Sequence, residues 1–360
     1  MRIKKLFPVL AAALLATALP AAEKYQAPAL SHRDSWSMIV LPDTQNYIKF
    51  SRNQGILDLM IGWIWTNASA LNIQQVLTVG DLVGYNGAGA VREKNNVLGR
   101  EQWKAFSRIM GRLDGYLPYI LCTGNHDYGF DSSENRNTHF SEFFPTDRNP
   151  RTRRQLIGCA PNAFGVVTLE NAAYEFTAPA PDNRKFLIIS LEFAPRMKVL
   201  EWAKKLVDEP RFANHIGIVL THSYMYPSGK RIENEGKRYK VAAAGGQGGE
   251  EIWQKLIYPA KNIRLVISGH VTCGQQVISG IAVDKNSAGK PVVQMVFNTQ
   301  HVGGGKLGNG GDGWLRILEF MPDKKTVKAT TFSPLFAVSP STQHLAWHKE
   351  ANCEFTFTIE

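Results

Sequence analysis

The sequence predicts an α/β layered fold, and two observations carry that prediction. Five apolar, β-branched runs of strand length end on Asp, Asn or His, and segments of helical periodicity separate the first three. The first run, Trp36-Ser-Met-Ile-Val-Leu41, leads into Pro42-Asp43-Thr44-Gln45. A helix is expected over 52–72, where Ile56, Leu57, Met60, Ile61, Ile64 and Trp65 form a face suited to packing on a sheet, with Asn72 closing it. The second run, Gln75-Val-Leu-Thr-Val79, ends on Gly80-Asp81. A second helix over about 100–113 gathers Trp103, Phe106, Ile109 and Met110 on one side. The third run, Pro118-Tyr-Ile-Leu-Cys-Thr123, ends on Gly124-Asn125-His126-Asp127. Strands and helices that alternate in this way form layers.

Residues 128–160 break the rhythm. They are rich in Asp, Ser, Asn, Arg and Pro, with Phe140, Phe143 and Phe144 as anchors, and read as a loop insertion beside the strand ends. Ala172-Ala-Tyr-Glu-Phe-Thr177 and Phe186-Leu-Ile-Ile-Ser-Leu191 form a hairpin around a Pro-Asp-Asn turn. A helix over 197–208 follows, with Leu200, Trp202, Ala203 and Leu206 apolar. The fourth run, His215-Ile-Gly-Ile-Val-Leu220, ends on Thr221-His222, and the fifth, Ile263-Arg-Leu-Val-Ile-Ser268, on Gly269-His270. Two glycine-rich segments, 244–250 and 302–313, lack the Gly-Lys-Ser/Thr ending of a phosphate loop and read as mobile loops near a site mouth. The alternation in 314–320 and 327–332 is expected to complete a second sheet. With no internal repeat and no clear linker, residues 23–360 read as one domain.

The first 22 residues read as a signal peptide. Met1-Arg-Ile-Lys-Lys5 is basic, 6–19 is apolar and alanine-rich, and Pro20-Ala-Ala22 offers small residues for cleavage. The apolar stretch is short for a membrane span and contains Pro8. An exported protein, periplasmic or secreted, with no membrane span in its mature chain is the expectation. The formal net charge is +10, of which Arg2, Lys4 and Lys5 supply three. Basic residues cluster at Arg151, Arg153 and Arg154 and again at Lys230, Arg231, Lys237, Arg238 and Lys240. Such clusters are solvated surface or serve to attract an anionic substrate. Aromatics do not interleave with them as in a strand-binding groove, which ranks nucleic acid lowest among partners. Four cysteines do not make a disulfide scaffold. Cys122 reads as a small buried hydrophobe, an exported compartment permits a Cys159–Cys353 bridge, and Cys273 is a minor candidate ligand.

In α/β sheets ligands gather outside the carboxyl ends of strands, so five such ends can converge. Carboxylate oxygens, an Asn carbonyl and neutral imidazoles suit zinc, manganese or iron. Alone, each of these residues is equally well a turn former or a structural histidine; the signal lies in their joint order. Together Asp43, Asp81, Asn125-His126-Asp127, His222 and Gly269-His270 resemble the calcineurin-like metallophosphoesterase family over about 36–332. The resemblance is to the exported bacterial branch with a Pro-Asp-Thr-Gln first motif, and Glu192-Phe193 and Thr221-His222-Ser223-Tyr224 share it.

The resemblance implies two packed mixed β-sheets flanked by helices, a four-layer sandwich. It also implies two divalent ions acting on a phosphate-ester substrate. Asp81 would bridge them, with Asn125, His222 and His270 completing one ion. Asp43 would serve the other, together with positions 45 and 272. His126 would donate a proton to the leaving oxygen or stabilise the transition state, and Asp127 would orient its ring. The implied reaction is hydrolysis of a phosphomonoester or phosphodiester by direct attack of metal-bound hydroxide. Two departures fall on the same ion: Gln45 and Thr272 stand where the family commonly has histidine, and both are weaker ligands than imidazole. His301 is a candidate to fill in. The depleted Asp43 half motivates an alternative, a catalytically weak or inactive ligand-binding protein on the same scaffold.

Overall fold

The computed structural model describes residues 25–91 and 95–360; the expected signal peptide lies outside the described residues. Strands β1 (Trp36–Leu41), β2 (Ile73–Thr78) and β3 (Tyr119–Leu121) run parallel. Strands β4 (Leu156–Pro161), β5 (Val167–Thr177) and β6 (Lys185–Ser190) form an antiparallel meander. Next come β7 (Ile216–Leu220) and β8 (Ile263–Ser268), both parallel to β6. The hairpin of β9 (Ile278–Lys285) and β10 (Pro291–Asn298) closes this sheet, with β10 parallel to β8. Finally β11 (Leu315–Phe320), β12 (Thr326–Phe332), β13 (Trp347–His348) and β14 (Phe355–Thr358) return to the first sheet. Its order is β13-β12-β11-β1-β2-β3 with β14 also on β12, and the second sheet runs β4-β5-β6-β7-β8-β10-β9.

Strand periodicity sorts the core into layers. Met38 and Val40 of β1 point into the space between the sheets, where Leu77, Ile120 and Cys122 meet Ile188, Ile218, Leu220, Leu265, Ile267 and Met295. The alternate residues Ile39 and Leu41 face the other way. They lie under Leu57, Met60, Ile61 and Ile64 of helix Gln54–Asn67 and Trp103, Phe106 and Ile109 of helix Gly99–Met110. The outer face of the second sheet, with Leu187, Ile189, Val219 and Val266, is covered by Val199, Leu200 and Ala203 of helix Met197–Val207. Each such side chain removed from water stabilises the sandwich by about 1.5–3 kcal/mol. The result is the expected four-layer sandwich of helices, sheet, sheet and helices.

Several expectations are corrected. β11 and β12 complete the first sheet, not the second, because β1 is buried along its whole length and its edge opposite β2 must be paired. Trp65 leaves the helix face and stands 46 % exposed against Tyr116. The helix itself ends at Asn67, five residues before Asn72, whose left-handed backbone (φ 43°) turns the chain into β2. The insertion over 128–160 carries helices Phe140–Phe143 and Pro150–Gln155, pinned by buried Phe140 and Phe144. The segment 302–313, expected to be a mobile loop, packs tightly: a side chain at Gly311 would meet Tyr47 Oη at 2.5 Å, and Asn53 Nδ2 donates to the Gly308 carbonyl at 3.1 Å. The Cys159–Cys353 bridge is not formed; all four thiols are free. Among the described residues no helix is long and apolar enough to cross a membrane. Arg151, Arg153 and Arg154 point to solvent, whereas Arg231 is held in ion pairs with Glu250 and Asp284.

Candidate metal centre

The carboxyl ends of β1, β2 and β3 in one sheet and of β7 and β8 in the other open on the same edge of the sandwich, and the tight turns after them carry the predicted residues. Asp81 (φ 50°) and His270 (φ 70°) sit in the left-handed region, a strained setting for a residue with a side chain. Glycine precedes the ligands because the turns touch. A side chain at Gly124 would meet Asp81 Oδ1 at 2.2 Å, and one at Gly80 would meet His222 Nδ1 at 2.5 Å.

Four donor atoms converge. His222 Nε2 lies 3.3 Å from Asp81 Oδ2, 3.1 Å from Asn125 Oδ1 and 3.1 Å from His270 Nδ1. The ligand atoms of Asp81, His222 and His270 all fall within 4.8 Å of one another. Each donor is aimed by a bond behind it. His222 Nδ1 donates to the Val79 carbonyl at 2.6 Å, which leaves Nε2 as the lone-pair nitrogen. His270 Nε2 donates to Glu235 Oε1 at 3.2 Å, leaving Nδ1, and Glu235 is itself held by Ser223 Oγ at 2.6 Å. Asn125 Nδ2 donates to Ser132 Oγ at 2.8 Å, turning its carbonyl inward. Asp81 Oδ1 accepts the His126 N–H at 2.9 Å. Two imidazole nitrogens whose opposite ring nitrogens are already donors, set 3.1 Å apart, require a proton or a cation between them. The residues therefore fit a divalent ion. Phe193 and Tyr239 wall the histidines, with ring centroids 5.9 Å from His222 and 5.7 Å from His270 respectively.

The electrostatics agree with that fit. Burial opposes charge on His222, but Asp81 and Asp43 outweigh it and raise its pKa to about 10. Burial also opposes ionisation of Asp81, which His222 and His126 nevertheless hold below the ordinary carboxylate range. Burial pushes Asp43 up to about 8, and the Asp81 charge adds to the shift. The ring of His126 is shifted down, chiefly by burial and also by the charge of Lys49, which lies over the Tyr85 ring at 5.6 Å.

The sequence-predicted residues fall into groups. Asp81, Asn125, His222 and His270 come together as one donor set. Asp43 lies beside them, its Oδ1 accepting the His270 N–H at 3.3 Å, and Gln45 is buried on the following turn. His126 lines the centre through its backbone, while its Nδ1 donates to the Asp131 carbonyl at 3.0 Å. Asp127 does not reach that ring: its oxygens accept the N–H groups of Leu82, Val83 and Gly124 at 3.1, 3.0 and 2.7 Å. It therefore fixes the turns, and the ring contact expected of it belongs to Asp131. His301 and Cys273 are exposed. Two neighbours of His301 reach Asp43 instead: Asn298 Nδ2 and Gln300 Nε2 donate to its Oδ2 at 2.8 and 3.1 Å. The signal for Asn298 was present, since Val292-Val-Gln-Met-Val-Phe-Asn298 is a sixth apolar run ending on Asn. Glu235 had no such signal, because it arrives from an irregular segment far along the chain.

A two-sheet sandwich with acidic, amide and imidazole donors at its strand ends defines a metallohydrolase-type centre. The calcineurin-like phosphoesterase signature matches residues 39–273, and the chain belongs to that family. Among curated proteins it is similar to the uncharacterized protein YvnB of Bacillus subtilis (strain 168), 26 % identical over 306 residues that are 84 % of this chain. Those residues are 20 % of YvnB, so the chain spans about a fifth of that relative's length. Among solved structures it is similar to GAP50, the anchor in the inner membrane complex of Plasmodium, with 12 % identity, 91 % of this chain and 90 % of that one covered, and a TM-score of 0.49. It is also similar to a 5'-nucleotidase from Candida albicans SC5314, with 14 % identity, 90 % and 53 % coverage, and a TM-score of 0.40.

Proposed function

We propose that the chain is an exported metal-dependent phosphoesterase that hydrolyses a phosphomonoester or phosphodiester. The observation that carries this reading is the convergence of Asp81 Oδ2, Asn125 Oδ1, His222 Nε2 and His270 Nδ1, each aimed from behind by its own hydrogen bond. A divalent ion held there supplies positive charge for the phosphoryl oxygens and lowers the pKa of a water. The protein's residues do the rest. Val79 and Glu235 fix the tautomers of the two histidines, and the Glu235 carboxylate makes the His270 ring a more basic ligand. Asp131 holds the His126 ring by Nδ1, so that Nε2 is the nitrogen left to carry a proton to the leaving oxygen. Burial keeps that ring neutral in the free protein, and an arriving phosphate raises its pKa and loads it. Export rests on the basic, apolar and small-residue order of the first 22 residues.

The test is turnover of bis-p-nitrophenyl phosphate and p-nitrophenyl phosphate by the metal-loaded protein, with Asp81→Asn and His126→Ala alongside. Turnover that both substitutions abolish in folded protein is the expected result, and full activity in both sinks the assignment. The ligand-binding alternative is favoured by one feature, the lack of imidazole at Gln45 and Thr272. Tight binding of a phosphate ester without product release is its signature.

A further inference from the structure

The Asp43 side of the centre is built on the same plan as the histidine side, but from oxygens. Asp43 is fully buried, and its Oδ2 receives Asn298 Nδ2 at 2.8 Å and Gln300 Nε2 at 3.1 Å. The Asn298 amide cannot be turned over, because its Oδ1 already accepts the Gln300 backbone N–H at 3.1 Å. Gln300 also accepts, through Oε1, a hydrogen bond from Gln45 Nε2. Gln45 is thus anchored by its nitrogen, as Asn125 is anchored by Ser132. Its Oε1 remains buried with no hydrogen-bond partner, and the residue is 5 % exposed. A buried carbonyl oxygen without a donor is costly and uncommon, and one beside a buried carboxylate is matched by a cation.

We propose that Asp43 and Gln45, sharing Asp81 with the histidine side, form an oxygen-only seat for a hard divalent cation, Mg2+ or Mn2+. Gln300 is the positioning residue that presents both ligands. The inference rests on the metallophosphoesterase reading and deepens it. The two seats differ in chemistry. The histidine side, with two imidazole nitrogens, suits zinc or iron, whereas carboxylate and amide oxygens completed by water suit magnesium or manganese. Magnesium in particular keeps several waters and needs few protein ligands. The centre then holds two unlike ions, and the replacement of histidine by Gln45 is a change of cation, not a loss of the site.

Metal binding itself tests this without reference to turnover. The chelator-stripped protein is given one equivalent of Zn2+ and then titrated with Mn2+, free Mn2+ being followed by its electron paramagnetic resonance signal. The wild-type protein is expected to retain the zinc and take up one Mn2+. Gln300→Leu should retain the zinc and bind Mn2+ about 10–100-fold more weakly, the usual effect of removing a residue that orients ligands. Gln45→Leu should do the same, and decides the matter if Gln300→Leu fails to fold. Unchanged Mn2+ affinity in both variants overturns the proposal, as does a second zinc bound as tightly as Mn2+. Zinc retained with no Mn2+ uptake overturns this inference alone, whereas failure to hold the first zinc overturns the phosphoesterase reading as well.

Discussion

Asp127 gives both carboxylate oxygens to backbone amides, and that assignment separates a turn-building residue from one that tunes the neighbouring ring. In Asp127→Asn an NH2 group faces amide donors, so the loss should appear as roughly 1–3 kcal/mol of stability in urea denaturation. The pH dependence attributable to His126 should stay in place, because Asp131 still holds the ring. Glu235→Gln acts differently. It leaves the fold alone but removes the charge behind His270, so calorimetric affinity for a transition metal should fall about 10–100-fold. The sequence showed the ligands plainly, because Gly-Asp, Gly-Asn-His-Asp and Gly-His each close an apolar run. It did not show what stands behind them. Ser132, Glu235 and Gln300 come from irregular segments, where no periodicity marks a side chain that points inward.

At the scale of elements, β-branched runs and helical stripes located the strands and main helices to within a few residues. Which strands pair is a different matter, since alternation specifies a buried face and not a neighbour. That is why β11 and β12 were assigned to the wrong sheet: their pattern suits either, and only the unpaired edge of β1 decides. The short, central parallel strands bear the site, so their packing should matter more than their length suggests. Leu220 is fully buried between the sheets, two residues before His222. Leu220→Ala should destabilise the fold by about 2–5 kcal/mol in chemical denaturation. The same substitution should weaken metal binding by shifting the turn that presents His222.

For the whole molecule, the pH dependence of stability follows from the two strongly shifted groups at the centre. In the metal-free protein Asp43 is raised from 3.8 to about 8, so the folded state holds a proton that the unfolded chain has released between those values. Stability therefore falls as pH rises through that window. His222, raised from 6.5 to about 10, contributes stability that is fully present below 6.5 and is lost as pH climbs to about 10. Both act in one direction. Thermal melting of chelator-treated protein should drop between about pH 6 and pH 9. A divalent ion prefers the deprotonated ligands, so the rise in melting temperature that it produces should grow over the same range. Melting temperatures that do not change with pH in the metal-free protein would contradict the assigned charges.

Asp43, Asp81 and Asn125 follow strands of one sheet, while His222 and His270 follow strands of the other. Neither half of the sandwich owns a complete set of donors, so a chain with one sheet formed has little to offer a metal. Occupancy of the centre then reports that the two halves have docked, and the bound ion acts as a clasp on the rim where they meet. Stripping it should loosen that rim first, long before the aromatic stack of Trp36, Phe176, Phe186 and Phe320 elsewhere between the sheets gives way.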